Sequence, residues 1–336
     1  MRLIISLLLL SSFCSCRNDK NIPDVSKINP VLSTRRFEKE LFSIDTNKLS
    51  PQLDRLLARF PSFGENFLTT ILNTDPKWPA DSAAAYVNGF ISTYRNVYDT
   101  AQLIFDDFSP YEKQIKESLR FVKYYFPEYK IPRTIITYIG PLDGFGDILD
   151  EDAFIIGLQH HLGKKFSGYQ TAWLQETYPL YISNRFEPGT IVINCMKNIV
   201  NDMYPEKNED KSLLIQMVEK GKRLYMLHKL IPDAEEYSLI GYSPLQLKES
   251  YQHEAIIWDM FIQNNLLQSI DNNVIKNYIG ESPKTQELGE ASPGNIGSFA
   301  GWQIVKKYMD KKTGTSLHEL MGTDPEIIFQ EAKYKP

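Results

Sequence analysis

Three cysteines and five histidines hold most of the metal-binding and nucleophilic chemistry open to this chain of 336 residues. Two of the cysteines, Cys14 and Cys16, close the first segment, MRLIISLLLLSSFCSC. One positive charge, Arg2, precedes an apolar stretch of about eight to ten residues, then small residues, then cysteine. This is the pattern of a secretory signal, and it is too short to span a membrane, which takes about 20 apolar residues. A small residue before a terminal cysteine is the arrangement in which bacterial lipoproteins are cut and acylated. Ser15-Cys16 fits it better than the bulky Phe13 before Cys14. Residues 1–15 are thus expected to be a lipoprotein signal peptide, with Cys16 the lipidated residue. Several acyl chains on one cysteine anchor strongly, because each buried methylene adds about 0.8 kcal/mol. Residue 17 is Arg rather than the Asp that retains lipoproteins in the inner membrane. The expected location is therefore the outer membrane, with the membrane itself as a partner through the N-terminal lipid.

Cys195, the third cysteine, sits in an apolar helical stretch and is expected to be a buried, inert thiol. With Cys16 acylated, no disulfide framework remains. The histidines make no recognisable metal pattern. His160 and His161 are adjacent at a strand end and would point to opposite sides. His253-Glu254 lacks a histidine at i+4, where Ile257 stands, and His318-Glu319 has Gly322 there. With His228, each reads as a surface or capping residue, so no metal and no cofactor is expected. No G-x-S-x-G is present. The acidic run Asp143, Asp147, Asp150, Glu151 and Asp152 could hold calcium through oxygen ligands, but it matches no EF-hand and is read as a solvated loop. A net charge of −5 with interspersed signs argues against nucleic acid as a partner.

The elements that must position these residues follow from periodicity. Residues 17–32 are polar, with two prolines, and 16–32 is expected to be a flexible tether. One domain, 33–336, follows. Apolar spacing predicts helices over 49–58, 65–72, 83–98 and 110–126. The β-branched run at 133–139 and the segment 153–158 are expected strands, joined through the glycines Gly144 and Gly146. Helices are expected near 178–184 and over 190–203, 208–230, 244–267, 274–279, 293–309, 316–321 and 325–332. The fold class is α+β, mostly helical with a small central β-sheet. In the segment SPGNIG, Ser292 is a good N-cap and Pro293 a good first helical residue. Gly294, Gly297 and Gly301 then share a face ahead of Trp302. Asn295 lies in the same turn, which could receive an anion at the helix start. Close packing against a neighbouring helix is the favoured reading, since glycine inside a helix costs about 1 kcal/mol.

Three segments carry a resemblance. They are YIGESP with EASPGNIG and GWQIVKKY in the last third, IVINCMKNIVND at 191–202, and MVEKGKRLY at 217–225. Together they resemble the gliding motility lipoprotein GldB family over most of the chain. The resemblance implies an accessory or assembly lipoprotein of the gliding machinery and the linked type IX secretion system, with envelope proteins as partners. A weaker similarity, in element order, is to the YjaZ-like predicted zinc peptidases, and it implies a zincin-like domain. Those enzymes carry H-E-x-x-H on one helix and an acidic ligand before a glycine on a later one. In this chain Asn194 and Asn198 stand at the two histidine positions, Cys195 at the base, and Lys220 at the third ligand. A neutral amide is a poor zinc ligand and an ammonium is none. The resemblance therefore implies a catalytically silent cleft. A divergent hydrolase and a ligand-binding lipoprotein are the competing readings.

Overall fold

The computed structural model describes residues 22–207 and 210–336. The expected signal segment, Cys16 and the tether up to residue 21 lie outside the described residues. Of the remaining expected tether, Val25 and Leu32 are buried in the core, so packing begins by Val25.

The architecture is α+β, mostly helical around one small sheet. Its strands are β1 (Ser33–Arg36), β2 (Thr134–Tyr138), β3 (Ile148–Leu149) and β4 (Ala153–Gly157), in the order β1-β2-β4-β3. β1 and β4 run parallel to β2, while β3 pairs antiparallel with β4, Ile148 opposite Ile155. β2 and β4 are almost wholly buried on both faces, which is why their sequences read as continuous apolar and β-branched runs rather than alternations. β1, with the sequence STRR, has no apolar residue at all. Its pairing with β2 is reinforced by side chains. Arg36 Nε donates to Glu38 Oε1 at 2.6 Å and to Thr137 Oγ1 at 3.0 Å, and Thr137 Oγ1 donates to the fully buried Glu38 at 2.6 Å.

Helices enclose the sheet. Two stretches that the periodicity joins are broken in the structure. The first splits into Ala80–Thr93 and Arg95–Phe105 at Tyr94, and the second into Pro244–Gln252 and Glu254–Gln263 at His253. Neither break involves Gly or Pro. Each sits at a residue whose backbone leaves the helical region while the apolar face continues. Three helices matter most for the site: Ile191–Met203, Leu213–Leu230 and Ile296–Lys311. The last two pack along each other at very short range. A Cβ built on Gly301 would run into the Met217 carbonyl, and one on Gly221 into the Gly301 carbonyl. Only glycine permits this backbone-to-backbone approach. The Ile296–Lys311 helix starts three residues later than its sequence suggests. Ser292 Oγ donates to the carbonyls of Thr285 (2.9 Å) and Gly289 (2.7 Å), so it fastens a loop instead of capping. Asn295, at φ 56°, forms the helix boundary instead.

Candidate functional site

The Ile191–Met203 helix is where the sequence places its degenerate metal positions, and it packs against β3 and the Leu213–Leu230 helix. Asn194 and Asn198 are one turn apart and share a face, as a spacing of four requires. Both amides reach the same residue. Asn194 Nδ2 donates to Asp147 Oδ2 at 2.8 Å, and Asn198 Nδ2 donates to the Asp147 carbonyl at 3.1 Å. Asp147 lies in the turn before β3. Its carboxylate also accepts from the Gly157 N–H at 3.1 Å and pairs with His161 Nε2 at 2.9 and 3.1 Å. The far nitrogen of His161, Nδ1, sits 3.2 Å from both the Glu187 carbonyl and Thr190 Oγ1. The Asp147 side chain is 4% exposed and that of His161 1%.

Burial alone would raise the Asp147 carboxyl. The charge of His161, its hydrogen bond and that of Asn194 together outweigh burial and hold the carboxyl below the ordinary carboxylate range. The same desolvation, helped by the Asp147 charge, pushes the Cys195 thiol well up, and Cys195 is buried and free. Nucleophilic chemistry at that sulfur is thus disfavoured at neutral pH.

This cluster corrects the reading of the histidines and of the acidic loop. His160 and His161 are both buried rather than surface or capping residues. His160 stacks on Phe186 at 4.6 Å and its Nε2 bonds the Leu142 carbonyl at 2.8 Å, and burial lowers its basicity. Asp147 is not solvated with its acidic neighbours but buried under the helix. Sequence reasoning missed the Asp147–His161 pair because the two residues meet only when β3 folds back on β4. Lys220, at the third ligand position, is engaged elsewhere, donating to both Glu206 carboxylate oxygens at 2.7 and 2.9 Å. Trp302 is fully buried, with Lys306 Nζ 4.1 Å from its ring centre. Gly297 abuts the Tyr278 carbonyl, and a Cβ on Gly294 would strike the Ser282 carbonyl.

The residues present do not fit zinc. The helix face offers two amides where imidazoles are needed, and both amides are committed as donors to Asp147. Among the described residues no group of three or more His, Cys, Asp or Glu is placed to hold a metal ion.

Beside the cluster the same helix lines a cleft of about 820 Å³, to which Asn194 and Lys197 contribute together with the Pro293–Asn295 turn. The cleft is within the roughly 300–1,000 Å³ common for ligand pockets. Burial pushes the Lys197 amine down to about 8, with Arg185 adding to the effect and Glu281 opposing it.

Residues 18–336 match the family described as gliding motility protein GldB. The chain belongs to this family. Membership makes it a gliding-motility-associated lipoprotein. No curated protein and no solved structure matches it. No helix among the described residues is long and apolar enough to cross a membrane.

Proposed function

We propose that the chain is a non-catalytic accessory or assembly component of gliding motility and type IX secretion, held in the outer membrane by lipid on Cys16. Its zincin-like helix serves as scaffold. The observation that carries this reading is the use made of Asn194 and Asn198. At the positions that the weak similarity to YjaZ-like peptidases would assign to a metal, these amides fasten the β3–β4 hairpin through Asp147. A catalytic zinc needs lone pairs from its ligands and an open coordination position. This face supplies N–H donors and a carboxylate already paired with an imidazole. Nucleophilic acyl transfer has no better footing, since the thiol on the helix, Cys195, is buried and its pKa pushed up.

The test is elemental analysis of the full-length protein purified in detergent, alongside gliding of cells that carry Cys195→Ala. The expected result is well below one zinc per chain after dialysis against chelator, with spreading retained by the variant. Near-stoichiometric zinc that survives the chelator, or loss of gliding by a stably folded Cys195→Ala protein, would overturn the silent-cleft reading.

A further inference from the structure

The cleft beside the Asp147 cluster is lined by a cation, Lys197, that has no hydrogen-bonded or ion-paired partner among the described residues. Each charged neighbour of Lys197 is engaged. Arg185 forms a two-pronged pair with Glu281, at 3.1 and 2.7 Å. Lys220 is held by Glu206 at 2.7 Å. Lys197 makes no hydrogen bond or ion pair among the described residues, and it is only part-buried, open to the cleft that it lines. Its ammonium is therefore available to an anionic group that enters the cleft.

The charge around the cleft narrows the class of partner. Lys164, Arg185 and Lys197 line it together with Glu187 and Glu281, leaving one positive charge in excess. The fork of Arg185, which would suit a phosphate, is already filled by Glu281. A lining with one net positive charge and a second carboxylate, Glu187, favours a monoanion over a dianion. The volume exceeds what a lone ion needs and admits an organic body, with Tyr181, Tyr237 and Tyr242 along the walls.

We propose that this cleft binds a carboxylate-bearing organic ligand, with Lys197 as the counter-charge of its carboxylate. The proposal goes beyond the accessory role and does not depend on it, because a silent domain and an active one could both hold such a ligand.

The test uses the full-length protein in detergent and two probe pools. One pool is mixed short peptides with free C-terminal carboxylates, compared with the same peptides as C-terminal amides. The other is small monocarboxylates, with inorganic phosphate as a comparison. Saturation-transfer NMR and titration are run on the wild-type protein, Lys197→Met and Lys197→Arg. Saturable binding is expected for free acids, weakened about tenfold or more, or roughly 1.4 kcal/mol, by amidation and by Lys197→Met, and largely kept by Lys197→Arg. Binding confined to the peptide acids identifies a chain terminus as the source, and equal binding of small monocarboxylates identifies a free acid. Lys197→Gln replaces the Met variant if that protein does not fold. Three results would overturn the proposal: no saturable binding of either acid pool, equal binding of acids and amides, or binding unchanged in Lys197→Met. Phosphate bound more tightly than the carboxylates would overturn it as well.

Discussion

Truncating Asp147 to alanine removes one acceptor and strands three donors. His161 Nε2, Asn194 Nδ2 and the Gly157 N–H all converge on its carboxylate within 2.8 to 3.1 Å. The pair it forms with His161 is almost completely buried. Removing one partner of a buried, hydrogen-bonded pair typically costs about 3–5 kcal/mol, because the survivor stays desolvated. A packed body of about 300 residues has an unfolding entropy near 0.6 kcal/mol/K, from ~2.1 cal/mol/K per residue. One kcal/mol therefore moves the midpoint by about 1.5 °C, and Asp147→Ala should lower Tm by about 5–8 °C in calorimetry. His161→Leu should also destabilise, and the double variant should lose less than the sum, with a coupling of about 0.5–3 kcal/mol. The pH dependence has a definite sign. The folded carboxyl lies below its unfolded value of about 3.9, so the folded state binds fewer protons. Its contribution is fully present above about pH 4 and is lost as pH falls through the folded value. The Tm gap between wild type and Asp147→Asn should therefore hold at neutral pH and narrow in acid. An Asp147→Ala midpoint within about 1 °C of wild type, or zero coupling in the cycle, would refute the argument.

Other outcomes follow from the helix pair and the N-terminus. Gly301→Val drives a branched side chain into the Met217 carbonyl, so overpacking of about 1–3 kcal/mol or more should lower Tm by several degrees. Gly314→Ala, which has open space around it, should leave the melting curve unchanged, and a Gly301→Val curve that matches it would defeat the packing account. Cys16→Ser should abolish labelling by a clickable fatty acid, and undiminished label would exclude Cys16 as the acylated residue.

What the sequence discloses about this fold depends on how local the cause is. β2 and β4 are legible because both faces are buried, which selects β-branched and apolar residues throughout. β1 is not, since STRR owes its conformation to β2 and to the Glu38–Arg36–Thr137 bonds about a hundred residues away. The helices are legible from their apolar stripes, but the breaks at Tyr94 and His253 interrupt no stripe and carry no Gly or Pro signal. At the candidate site, the shared face of Asn194 and Asn198 follows from helical spacing alone. Their target does not, because Asp147 reads as one acid among five in a glycine-rich loop. Burial singles it out, and burial is a property of the assembled hairpin. Gly297 and Gly301 of the Ile296–Lys311 helix are legible as a packing face, while Gly221 as the counterpart of Gly301 becomes visible only once the two helices are laid together.

The Ile191–Met203 helix therefore meets two environments with neighbouring side chains. Asn194 and Asn198 close a network in which each member satisfies another. The amides need acceptors, which the Asp147 carboxylate supplies to Asn194 and the Asp147 carbonyl to Asn198, and His161 Nε2 hydrogen-bonds the buried carboxylate. The N–H groups of both amides are committed to Asp147, although Asn194 also lines the cleft. Lys197, one residue before Asn198, lies outside it and faces the cleft with its charge unspent. Disruption at Asp147 should therefore appear as lost stability, and disruption at Lys197 as lost binding at unchanged or higher stability, since a desolvated charge is removed. Were Lys197→Met to lower Tm as Asp147→Ala does, the two sets of residues would belong to one structural unit, and the separation of strut from binding surface would fail.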